Sequence, residues 1–130
     1  MLYVNLERIV TLVVVISLVF TLAVSSSVQV PITREQAIEI SRNSTLVRQG
    51  MAIAWQGYAF PSEAYYHNST EVEQKKRGPS YVLYENVPEG HSVWEIIWGI
   101  HTGIGGYNVG VIVDAEIGVI INEVLGTRFL

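Results

Sequence analysis

Tyr107–Leu125, YNVGVIVDAEIGVIINEVL, sets two β-branched apolar runs, Val109–Val113 and Val119–Val124, either side of Asp114-Ala115-Glu116-Ile117-Gly118. Branching at Cβ costs χ1 freedom in a helix and packs well on a pleated surface, so both runs read as strands. Asp can accept from the backbone two residues on, and Gly can take the positive φ that closes a bulged turn. The stretch therefore predicts an antiparallel hairpin, the scaffold on which the rest of the chain is arranged.

Working towards the N-terminus, His101–Gly106 (HTGIGG) links this hairpin to Val93–Ile100, VWEIIWGI. In that run Trp94, Ile96, Trp98 and Ile100 alternate onto one face of a further strand. The three glycines of the link have no following lysine and sit between strands, so they read as a hairpin loop and not as a phosphate loop. Val87-Pro88-Glu89-Gly90 reads as a turn, and Tyr81–Tyr84 as a first short strand.

Further upstream, Thr33-Arg34-Glu35-Gln36 has the pattern of a capping box, with Thr33 as N-cap and Gln36 three positions on. Positions 37, 40, 44, 47, 51, 54 and 58 keep 3-4 spacing, which fits one helical face through Tyr58 or two helices broken near Asn43–Thr45. Gly50 is a weak point in such a helix. Phe60-Pro61-Ser62 ends the pattern, and Ser62–Asn68 shows no clean period. Thr70-Glu71-Val72-Glu73 predicts a second capped helix, stopped by Gly78-Pro79, with Lys75-Lys76-Arg77 in its last turn to complement the dipole.

At the N-terminal end, residues 9–28 (IVTLVVVISLVFTLAVSSSV) contain no charge and no proline. Twenty helical residues rise about 30 Å, the depth of a hydrocarbon core, so residues 1–30 are expected to form a membrane anchor or signal segment. Ala23-Val24-Ser25 offers a cleavage site, but the apolar block is long for a signal peptide, and an uncleaved anchor is favoured. Asn43-Ser44-Thr45 and Asn68-Ser69-Thr70 are sequons, so Asn43 and Asn68 are candidate N-glycosylation acceptors. Anchor and sequons together point to a single-pass protein of the cell membrane with residues 31–130 extracellular, or secreted if the leader is cut.

The formal charge of −4 is unchanged when residues 1–30 are set aside, since Glu7 and Arg8 cancel. An acidic domain lacks the basic footprint that nucleic acid requires. With no cysteine there is neither a disulfide framework nor a thiolate metal site. His67, His91 and His101 lack zinc-ligand spacing, and no GxSxG or HExxH occurs. No cofactor, metal or catalytic set is expected, and Asp114 is accounted for by its turn. The chain reads as a protein that acts by contact and not as an enzyme.

Taken together, the capped ITREQAIEI (Ile32–Ile40), the strand WEII (Trp94–Ile97) and YNVGVIVDAEIGVII (Tyr107–Ile121) resemble the PepSY domain. That module occurs in propeptides of thermolysin-like metallopeptidases and in exported or membrane-tethered proteins. The link between Asn43 and Val93 is longer and more aromatic than the family pattern. The resemblance implies a small antiparallel sheet with a helix packed on one face, which with the N-terminal segment gives the expected α+β fold, a transmembrane helix preceding that sheet. It also implies binding or restraint of another protein, a secreted peptidase among the candidates. Trp94, Trp98 and Tyr107 are the candidate contact residues, with burial beneath the helix as the competing reading. A second expectation is a structural subunit of the envelope or of an extracellular filament, assembling through its sheet edges.

Overall fold

The computed structural model describes residues 31–126. The expected membrane segment at 9–28 lies outside these residues, and among them no helix is long and apolar enough to cross a membrane. The described chain is α+β. Its centre is a four-stranded antiparallel sheet in sequential order, β1 (Ala59–His67), β2 (Val93–His101), β3 (Gly106–Asp114) and β4 (Ile120–Leu125).

The hairpin forms as its residues dictate. Asp114 Oδ1 accepts from the backbone N–H groups of Glu116 and Ile117 at 2.8 and 3.2 Å, and Gly118 takes φ 67°. A register shift between Ile112 and Val113 leaves Val119 in the turn, so β4 begins at Ile120.

Thr33 caps α1 (Arg34–Ser41) through the expected capping box, its backbone N–H and hydroxyl both engaging Gln36. The apolar stripe divides into two helices. Ser44 caps α2 (Thr45–Ile53) by accepting from Val47 N–H. Glu123 of β4 accepts from Thr45 and Leu46 N–H at 3.1 and 3.3 Å, a carboxylate set on the positive end of that helix. Gly50 is a packing site as well as a helical weak point. A Cβ there would stand 2.7 Å from Ile100 Cδ1.

Four expectations are corrected. Ser62–Asn68 is not irregular, because residues up to His67 belong to β1. A bulge between Pro61 and Glu63 breaks its alternation, and proline is tolerated there because β1 is an edge strand. Tyr81–Tyr84 is not a strand but a short helix, α4, which turns Tyr84 inward to 2 % exposure. The third helix, α3 (Ser69–Lys76), is capped by Asn68 and not by Thr70, with Asn68 Oδ1 accepting from Glu71 N–H at 2.9 Å.

The fourth correction concerns layering, since helices cover both faces of the sheet and not one. Ala37 and Val47 of α1 and α2 meet Ile96, Trp98, Ile100, Val109, Val111 and Val113 on one face. Val72 and Tyr84 of α3 and α4 meet Val93 and Ile112 on the other. Strand alternation makes this possible, because β2 carries apolar Val93 and Ile97 at odd positions beside Trp94, Ile96, Trp98 and Ile100 at even ones.

Candidate functional site

Three places bring chemistry-bearing side chains together. Beneath α3, the Glu95 carboxylate accepts from Tyr84 OH at 2.8 Å and lies 2.9 Å from His67 Nε2. His67 Nδ1 lies 3.2 Å from Glu71. A neutral imidazole donates from one nitrogen only, so both contacts are hydrogen bonds when the ring is protonated. Burial alone would raise the Glu95 carboxyl. The hydrogen bonds from His67 and Tyr84, with the charges of His67 and Lys75, outweigh it and hold the group below the ordinary carboxylate range. Burial first, and then Glu95, push the Tyr84 phenol well above the ordinary tyrosine range.

An open cleft of about 440 Å³ beside this network is lined by His67, Glu71, Lys75 and Ser80. The network ties edge strand β1 to α3 and α4. Its acceptors and donors are used on one another.

At the turn after β3, Asp114 is fully buried and its Oδ2 lies 2.7 Å from His91 Nδ1. Ser92 Oγ donates to Glu116 at 2.6 Å and not to His91. Sequence reading assigned Asp114 to the turn; the structure adds that its second oxygen orients His91. Among the described residues no group of three His, Cys, Asp or Glu is placed to hold a metal ion.

Of the residues singled out as contacts, Trp98 is fully buried under α1, its Nε1–H donating to Ser41 Oγ at 2.9 Å with Arg42 over its ring. Its indole has no surface to offer a partner. Trp94 is half-buried, donates to Ile32 carbonyl at 2.9 Å and packs against Tyr66. Tyr107 is half-buried in the same cluster, beside Gly50. The three share one face of the sheet but not one place, Trp94 lying at the Ile32 end and Tyr107 at the His101–Gly106 end. Asn43 and Asn68 are both exposed, and each uses its Oδ1 as an acceptor, from Arg48 and from Glu71 N–H. The amide nitrogen, which a glycan would take, is the other atom of the group.

The third place was missed in the sequence. At the end of the sheet formed by His101 and Gly106, the turn after α2 presents Trp55 and Tyr58 with near-parallel rings, centroids 6.3 Å apart and planes at 19°. Tyr58 and Phe60 both contact the His101 ring. Trp55 is 54 % exposed, Tyr58 56 %, Ile53 62 %, and Ile104 at the tip of the glycine-flanked β2–β3 loop is fully exposed. Gln56 holds φ 51°, a left-handed conformation unusual outside glycine, which sets the direction of the two rings. Trp55 also packs on Gly103, where a Cβ would come within 3.2 Å of the indole.

Neither residues 49–62 nor residues 96–113, which build this end together with Leu125 and Gly126 at the close of β4, contain Asp, Glu, Lys or Arg. That double absence was the available signal. It was hidden because Met51 and Tyr58 fit a helical stripe, whereas α2 ends at Ile53 and Ala54 is extended. Ile32 N–H bonds Ala115 carbonyl, so the described chain begins at the opposite end of the sheet, roughly 30 Å away by strand rise.

No family model, no curated protein and no solved structure matches this chain.

Proposed function

We propose that this chain is a PepSY-like, non-catalytic module, tethered to the cell membrane through residues 9–28 with residues 31–130 outside, that acts by binding a protein. The supporting observation is the bare aromatic end. Large apolar side chains stand in water there, on two segments that carry no formal charge. Interface cores are built this way, depleted of charge and enriched in aromatic anchors. Trp55 and Tyr58 take over the contact role that the sequence suggested for Trp94, Trp98 and Tyr107. A secreted peptidase is the partner class that the PepSY resemblance suggests.

The titratable clusters support the non-catalytic part of the reading, because their groups satisfy one another within the fold. Assembly of filaments through sheet edges has less to rest on. The β1 edge carries Pro61 and a bulge, and on β4 the Asn122 side chain accepts from Glu123 N–H at 2.9 Å.

The test is purification of the full chain from gently solubilised membranes, beside a Trp55→Asp/Tyr58→Asp variant. A protein that accompanies the unaltered chain in stoichiometric amount and is lost from the variant is the expected result. Identical associated proteins in both samples would remove the aromatic end as the contact surface. Intact mass of the same material reads whether the leader is cut and whether Asn43 or Asn68 carries glycan.

A further inference from the structure

We infer that the opposite end of the sheet meets the membrane, with Ile117 and Val119 of the β3–β4 turn resting in the lipid surface and the strands standing upright on it. The inference rests on the proposed tether at residues 9–28 and goes beyond it by fixing which surface of the domain touches lipid. Ile32 N–H bonds Ala115 carbonyl at 2.8 Å, so the chain joins the domain at this turn. Four residue steps separate position 28 from Ile32, at most about 14 Å of extended chain. The headgroup layer alone takes up about 5–8 Å of that reach. The turn is therefore held close to the lipid boundary, and the aromatic end roughly 30 Å beyond it.

The turn is built to meet an apolar layer. Ile117 is 54 % exposed and Val119 44 %, and Gly118 between them packs on Ile32, whose Cγ2 would lie 3.8 Å from a Cβ there. Backbone donors are the usual obstacle to leaving water, since each one left unpaired in an apolar layer costs free energy. Here the N–H groups of residues 115–118 all have acceptors within the chain. Ala115 donates to Ser92 carbonyl, Glu116 and Ile117 to Asp114 Oδ1, and Gly118 to Asp114 carbonyl. Asp114 itself is buried, and Glu116 is half-buried with its carboxylate bonded to Ser92 Oγ at 2.6 Å.

Two aliphatic side chains would not hold a free domain on a bilayer. A tethered domain needs little, because the tether makes the contact an intramolecular event at high effective concentration. Arg34, two residues from Ile32, lies 3.9 Å from Glu35, and the domain is acidic. Apolar contact, and not attraction to anionic headgroups, therefore carries the seating, and a zwitterionic lipid surface fits it. Asn68, at the same end, follows β1 two strand spacings from β3, so the contact is made by the β3–β4 corner.

The chain has no cysteine, so single introduced thiols carry a label without background. Full-length Ile117→Cys, Val119→Cys and Ile104→Cys are labelled with bimane and placed in phosphatidylcholine vesicles that bear a nitroxide on the headgroup. All three positions are exposed, so the core is left intact, and each turn variant keeps the other aliphatic side chain. Quenching at 117 and 119 is expected to exceed that at 104 about five-fold or more, since the strands set 104 roughly 30 Å farther out. If the chain resists an alkaline carbonate wash but quenching is equal at the three positions, or absent at 117 and 119, the tether stands and the seating is overturned. Release of the chain by that wash removes both readings.

Discussion

Trp98 and Trp55 belong to opposite kinds of surface in one small sheet. Trp98 lies on a face that α1 and α2 close, with its N–H satisfied by Ser41 and a cation over its ring. Trp55 stands just past the C-terminal end of α2, stacked beside Tyr58 and more than half in water. Both are apolar residues in a weakly charged stretch, and composition does not distinguish them. The difference lies in what the neighbouring element does. A helix laid across the sheet covers the middle of its strands, whereas the turn leaving that helix presents side chains past their ends.

Substitution should separate the two regions sharply. Trp98→Ala is expected to destabilise the domain by about 4 kcal/mol, read by denaturant unfolding followed by circular dichroism. Loss of less than about 1 kcal/mol would mean that the covered face is not the core.

Removing the Glu95 carboxylate should cost about 3 kcal/mol, because Tyr84 and His67 are then left without their acceptor. The pH dependence follows from the two shifts. Glu95 sits below its ordinary value of 4.5 in the fold, so its contribution is present above that pH and is lost as pH falls through the lower folded value. Tyr84 is raised from 10.0, so folding favours the neutral phenol; that contribution holds below pH 10.0 and is lost as pH rises beyond it. Glu95→Gln should flatten the acid limb of a stability profile and Tyr84→Phe the alkaline limb.

A smaller effect should come from Gly50→Ala. Alanine gains about 1 kcal/mol of helix propensity, but its Cβ would meet Ile100 at 2.7 Å, and a net loss of about 1–2 kcal/mol is expected. At the bare end, Trp55→Ala and Ile104→Ser should shift stability by only about 0.5 kcal/mol while weakening association. Large destabilisation by either would turn the proposed contact surface into part of the core.

The hairpin, the capped first helix and the tryptophan face of β2 were legible because each rests on local rules: a turn with Asp and Gly, a capping box, and alternation by two. What was not legible depended on distant partners or broken periods. The bulge at Pro61 erased the alternation of β1. Tyr81–Tyr84 has strand-like composition but is drawn into a helix, with Tyr84 reaching Glu95. Glu123 on the start of α2 is separated from it by 77 and 78 residues, beyond any local pattern. Of the contact candidates, Trp98 is fully buried and Trp94 and Tyr107 are half-buried, because the helices laid over that face could not be placed from the strand alternation alone. Of the exposed pair only Tyr58 falls on the helical stripe, and the left-handed Gln56 between Trp55 and Tyr58 breaks the helical path there.

The central claim is that the aromatic end is covered when the protein is in place, and oxidative footprinting of the full chain tests it most directly. Trp55 is expected to be protected in native membranes and to become reactive after dilution in mild detergent, while Trp98 stays protected in both. Equal reactivity of Trp55 in the two conditions would contradict the account.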